Sequence, residues 1–99
     1  MGVSSRSPVQ GASQYGLAVS SSVVTLTVPA TARTAEVFVR GASIVFTRDG
    51  TNPTSTAGFQ ADVADIIVLN ARKEIQALEM IRKSTDATVD VEYFTDVSG

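Results

Sequence analysis

Between Val23 and Val28 apolar and polar positions alternate, with Val24, Leu26 and Val28 on one side and Val23, Thr25 and Thr27 on the other. A period of two predicts a strand with one buried face and one Thr-rich face. Pro29 ends it, because proline has no N–H to give to a ladder. The β-rich pattern begins upstream, at "YGLAV" from Tyr15. "AEVFVR" (Ala35 to Arg40) alternates again, Val37 and Val39 against Glu36, Phe38 and Arg40. Gly41-Ala42 then predicts a two-residue hairpin turn into "SIVFTR", Ser43 to Arg48. Asp49-Gly50 signals another turn, but "TNPTSTAG" follows in place of a strand. The chain is expected to leave the sheet there and cross before Phe59.

The second half is less uniform. "DIIVLN" (Asp65 to Asn70) reads as a short strand buried on both faces. "ARKEIQALEMIRK" (Ala71 to Lys83) is rich in helix formers, and Ile75, Leu78 and Ile81 fall at helical spacing. Read as a strand, Gln76 to Lys83 has two mixed faces, so the residues alone favour the helix. "ATVDVEYF" (Ala87 to Phe94) alternates cleanly, Val89, Val91 and Tyr93 against Thr88, Asp90, Glu92 and Phe94. This closing strand needs an antiparallel partner. The nearest candidate is Gln76 to Lys83, joined to it through the turn residues "STDA".

Composition narrows the function classes. A chain of 99 residues makes one domain. Residues 1–13 are rich in Ser and Gly and lack periodicity, so they predict an extended N-terminal arm; residues 14–99 form the single domain. With nothing of its own to fold around, the arm is expected to lie on a neighbouring chain. Charged residues are 18%, below the roughly 25% usual for soluble domains, which suits a protein covered by neighbours. The net charge is −2 with no basic stripe, arguing against nucleic acid. No apolar run approaches the ~20 residues of a membrane span. The first residues, "MGVSSRSPVQGASQ", lack the apolar stretch of a secretory signal, and Arg6 stands where a myristoylation motif needs Ser or Thr.

Candidate chemistry is sparse. With no Cys and no His, a disulfide framework, a thiolate zinc site and the usual nucleophile–base pairs are all absent. Lys73 and Lys83 each stand beside an Arg in solvated-looking segments, and Asp90 and Glu92 share one polar strand face. The expectation is no enzyme, no cofactor and no metal. The stretch from Phe46 to Phe59 admits three readings. A calcium loop needs several hard oxygen ligands, and Asp49 is the one carboxylate within it. A sugar site needs an aromatic platform, whereas Phe46 and Phe59 are expected in the core. A connection held by Asp49-Gly50, Pro53 and Gly58, and touching a protein neighbour, is the simplest.

The succession "LTVPATARTAEVFVRGASIVFTRDGTNPTSTAGF" and then "IQALEMIRKSTDATVDVEYF" resembles a family of small virion structural proteins of tailed bacteriophages. The carrying features, between Leu26 and Phe94, are a strand ending in Val-Pro, a strand-Gly-Ala-strand unit, an Arg-Asp-Gly-Thr-x-Pro-Thr loop ending in Gly, and a closing strand ending Tyr-Phe. Residues 62–70 depart from the pattern by lacking its Gly-rich turn, and "ARKE" is more helical than usual. The resemblance implies an all-β fold, a compact antiparallel sandwich or barrel of about seven short strands. It turns Gln76 to Lys83 into a strand and confines any helical turn to residues 71–75. It further implies a capsid decoration (cement) protein on the outer surface of the virion, bound to the major capsid protein. The open edges of a sandwich invite pairing with copies of itself, and of the threefold and twofold symmetries on a capsid a trimer at a threefold joint is expected. A tail, adaptor or fibre-base component and a carbohydrate-binding module are the alternatives. Partner contacts are expected from the arm, through Val3, Arg6, Pro8 and Val9, and from the loop, through Asp49, Thr51, Asn52, Pro53 and Thr54.

Overall fold

Two four-stranded antiparallel sheets face each other across a single apolar core in the computed structural model, which describes residues 7–95. The first sheet is built from β1 (Gln14–Val19), β3 (Thr34–Arg40), β6 (Ile66–Leu69) and β8 (Ala87–Phe94), in the order β1-β8-β3-β6. The second contains β2 (Val24–Thr25), β4 (Ile44–Thr47), β5 (Phe59–Ala61) and β7 (Glu79–Arg82), in the order β2-β7-β4-β5. One short helix, α1 (Arg72–Ala77), links β6 to β7. The fold is the expected all-β sandwich, with eight strands.

Alternation does most of the work. Ala35, Val37 and Val39 of β3 stand opposite Tyr93, Val91 and Val89 of β8, and all six are fully buried. Ile44, Met80, Ile75 and Leu78 meet them from the other layer. Burying each such side chain is worth about 1.5–3 kcal/mol. The core therefore stabilises the fold far more than the two-residue ladder of β2, whose Val24 and Thr25 pair with Met80 and Glu79. Leu26 and Val28 still pack against the core on the side that their alternation assigns, although they make no ladder.

Several local expectations change. Gly41-Ala42 is not a hairpin turn: β3 and β4 belong to different sheets, and the chain turns a corner between them. Gly41 sits at φ 84°, and the Ala42 N–H donates back to Arg40 O at 3.0 Å. The corner lets Val39 and Ile44 both point into one core, while β3 keeps β8 and β6 as its neighbours. The same holds for β7 and β8, which an Arg82–Asp86 ion pair of 2.6 Å spans. β8 takes β1 and β3 as partners, so the reason given for a strand before it fails. The segment itself divides. It is helical to Ala77, two residues past the expected limit, then Leu78 turns extended at ψ 128° and Glu79–Arg82 forms the strand. Ile75 and Leu78 are buried from the helix and its exit, which explains the helical spacing.

β6 is not buried on both faces. It is an edge strand with Ile67 and Leu69 inward and Ile66 and Val68 outward. The chain also does not cross between Phe46 and Phe59, because β5 pairs directly with β4 and sets Phe46 opposite Phe59. Residues 48–58 thus close a long hairpin in one sheet. In the expected N-terminal arm, the Val9 N–H donates to Tyr93 O at 2.8 Å and the Thr95 N–H to Ser7 O at 2.9 Å, with Pro8 bridged to Phe94. Ser7 to Val9 thus lie along β8 of their own chain. Val3 and Arg6 lie outside the described residues.

Candidate functional site

The loop at residues 48–58 lies flat on the outer face of the second sheet. Strand alternation turns Val45 away from the core, beside Ile81, yet only 2% of it is exposed. The loop covers it. Gly58 comes so close that a Cβ there would meet Val45 Cγ1 at 2.7 Å and Phe46 O at 3.0 Å. Pro53 is buried as well.

Short-range hydrogen bonds fix the rest of the loop. The Thr51 N–H donates to Asp49 Oδ1 at 3.0 Å, an Asx turn through Gly50 at φ 86°. The Thr47 hydroxyl donates to Thr51 O. Thr54 and Ala57 exchange backbone hydrogen bonds of 3.0 and 3.2 Å, forming a small hairpin tip, and Lys83 Nζ donates to Ser55 O at 2.8 Å. The Thr51 N–H is the chief reason the Asp49 carboxyl sits below its ordinary 3.8. Of the loop residues expected to touch a partner, Asp49, Thr51, Asn52 and Thr54 are exposed on this fixed frame, while Pro53 is turned inward. Pro8 and Val9 belong to the other sheet, alongside β8.

Beside the loop a cleft of about 470 Å³ is lined by Arg48, Asp49, Asn52, Phe59 and Glu74 among others. Phe59, expected in the core, is 63% exposed, and its ring lies 5.9 Å from that of Phe46 at a tilt of 37°. Glu74 reaches this cleft from α1, where its Oε1 also accepts the Asn70 N–H at 3.0 Å. α1 is held down by Arg72, whose Nη1 donates to Pro29 O and Ala32 O at 2.7 and 2.9 Å. Among the described residues no three His, Cys, Asp or Glu side chains gather as a metal site would require.

A second exposed region runs along the side of the sandwich where β5 and β6 are both edge strands. Residues 62–65 join them in a tight turn. The Asp65 N–H donates to Asp62 O at 2.9 Å, the Asp62 N–H to Asp65 Oδ2 at 2.8 Å, and Ala64 takes φ 77°. Ser43 and Gln60 both donate to Asp62 Oδ1 at 2.8 Å; Gln60 is the larger cause of that carboxyl's lowered pKa. A shallow cleft here is lined by Arg48, Phe59, Asp65, Ile66 and Val68. The sequence reading missed Phe59, Ile66 and Val68 as surface residues. Nothing in an unbroken apolar run such as "DIIVLN" shows which face meets solvent.

No family model matches the chain, and neither a curated protein nor a solved structure matches it.

Proposed function

We propose that this chain is a structural subunit of a tailed-phage virion, of the capsid decoration type. It binds across joints between major capsid protein subunits on the outer surface of the head. The observation that carries the reading is the loop at residues 48–58. The Arg48-Asp49-Gly50-Thr51-Asn52-Pro53-Thr54 stretch behind the resemblance is the part pinned to the sheet, with five polar side chains outward. A loop already ordered before docking loses little conformational entropy on binding. Repetition over a lattice turns a modest affinity per contact into large avidity, so each subunit resists the outward pressure of packaged DNA mechanically. The role needs no catalytic group, and the chain has neither His nor Cys to build the usual nucleophile–base pair.

Quantitative mass spectrometry of purified particles from the encoding phage tests it. Copies on the order of hundreds per particle support decoration, and about a dozen support a tail or adaptor part. Absence from the particle overturns the reading. Asn52→Ala, whose exposed side chain holds no loop hydrogen bond, should weaken attachment to capsids without changing the fold.

One observation favours a second reading. Phe59 presents exposed ring surface beside Asp49, Asn52 and Glu74 in the loop cleft, the combination a sugar-binding module uses. Glycan-array binding by the wild type that is lost in Phe59→Ala would support this module over the shell protein.

A further inference from the structure

We propose that two copies of this chain join through β6, antiparallel and about a twofold axis, to make one continuous eight-stranded sheet. The proposal is independent of the virion reading. An open strand edge invites pairing unless it is short, bulged, charged or covered. β1 is interrupted between Gln14 and Leu17, where Gly16 at φ 72° gives its N–H to Asp90 Oδ1 at 2.8 Å and Arg40 closes on the same carboxylate at 2.7 Å. β2 is two residues long and β5 three. β6 carries neither Lys nor Pro, and its register with β3 is regular from Ile66 to Leu69. The irregularity at Ala64 precedes it.

The orientation of the unpaired groups follows from the ladder. The Val39 N–H donates to Asp65 O at 3.0 Å. By alternation Ile67 and Leu69 also bond to β3, which leaves the N–H and C=O of Ile66 and Val68 pointing away from the sheet. No described residue accepts or donates to them. Their side chains stand on the outer face, 55% and 40% exposed, next to Phe38 at 37%.

A second copy is the occupant that fits. With Ile67 on the axis, Ile66 of each copy pairs with Val68 of the other, satisfying both sets of backbone groups and joining the two exposed apolar pairs. The ends of the strand also differ in charge. The turn before β6 carries Asp62 and Asp65, and the segment after it carries the exposed Lys73; Arg72 there is turned onto Pro29 O and Ala32 O, and the Glu74 carboxylate accepts the Asn70 N–H. Antiparallel pairing sets each acidic turn toward Lys73 of its neighbour. Such an isologous contact closes at two copies, unlike the trimer expected at a threefold joint. A contact through one four-residue strand edge is of the weak, transient class, for which a Kd on the order of 0.1 mM is expected.

Sedimentation equilibrium of the full chain over increasing concentration tests the proposal. The expected mass moves from 10.4 kDa toward twice that value, and amide exchange at Ile66 and Val68 slows as concentration rises. Val68→Lys should raise Kd about tenfold or more with Tm within about 2 °C of wild type. Ile66→Lys is the second variant at the same edge. Lys73→Glu, which reverses that exposed charge, should raise Kd about threefold. A mass fixed at 10.4 kDa at millimolar concentration, a trimer, or undiminished association in both lysine variants would overturn it.

Discussion

Gly58→Ala asks whether the loop is truly docked on the second sheet. Two costs arise together. At φ 135°, Gly58 occupies backbone space that L side chains rarely adopt, and holding such a conformation costs on the order of 1–3 kcal/mol. The added methyl also meets Val45 Cγ1 at 2.7 Å and Phe46 O at 3.0 Å. The valine can shift, but the carbonyl belongs to β4 and cannot, so overpacking adds about 1–3 kcal/mol. The sum, roughly 2–6 kcal/mol, is a large share of the ~5–15 kcal/mol that holds a small domain together. Urea and thermal unfolding followed by circular dichroism should show Tm falling by about 10 °C or more. The companion variant Val45→Ala removes one of the two obstructing atoms. The double variant should therefore be less damaged than the two single costs added, by about 0.5 kcal/mol or more. If Gly58→Ala unfolds within about 0.5 kcal/mol of wild type, the loop is not pressed on Val45 and its rigidity is lost as an argument.

Leu78→Ala removes a fully buried side chain where α1 gives way to β7, and chemical denaturation should register a loss of about 2–5 kcal/mol. Burial pushes the Tyr93 phenol from 10.0 up to about 12, so the folded state holds this proton more tightly than the unfolded chain. Its contribution is whole below pH 10.0 and drains away as pH climbs toward about 12. Tyr93→Phe should cost about 1 kcal/mol at neutral pH through the lost hydrogen bond to Gln14, and should flatten that alkaline limb in a pH series of melts. Deleting residues 1–13 should lower Tm, because Val9 packs on the core and bonds to Tyr93 O; an unchanged melt would return this segment to the role of a free arm.

What the sequence made legible was whatever one face against another decides. β3 and β8 lie in the interior of their sheet, and Val37, Val39, Val89 and Val91 all turn to the core as their alternation predicts. Which sheet a strand joins was not legible. A corner such as residues 41–43 and a hairpin turn both call for Gly and small polar residues, and only the partners chosen far along the chain tell them apart. In "DIIVLN" every interior position is apolar, so the period of two is present but masked, and an edge strand reads as a central one. The helix-or-strand contest over Ala71 to Lys83 had no single winner, because Ile75 and Leu78 serve the helix and its exit while Met80 serves the strand. Of the loop, the turn at Asp49-Gly50 was readable. Its contact with Val45 was not, since that depends on an outward-facing residue three positions before the loop begins.

The two exposed regions are not independent. Arg48 and Phe59 line both the loop cleft and the shallow cleft along the β5–β6 side, and Glu74 connects the first of these to the end of β6 through Asn70. A partner that covers the loop therefore reaches the rim of the edge through which two copies are proposed to pair. Pairing at β6 fixes how two loops are spaced and oriented, so a capsid surface that accepts both at once gains the effective concentration of a linked pair. A surface that accepts one and presses on Phe59 would instead compete with the dimer. The lysine variant at Val68 separates these cases, since it removes the pairing and leaves the loop intact. Attachment that weakens in Val68→Lys places the dimer on the shell, and attachment that strengthens places the monomer there.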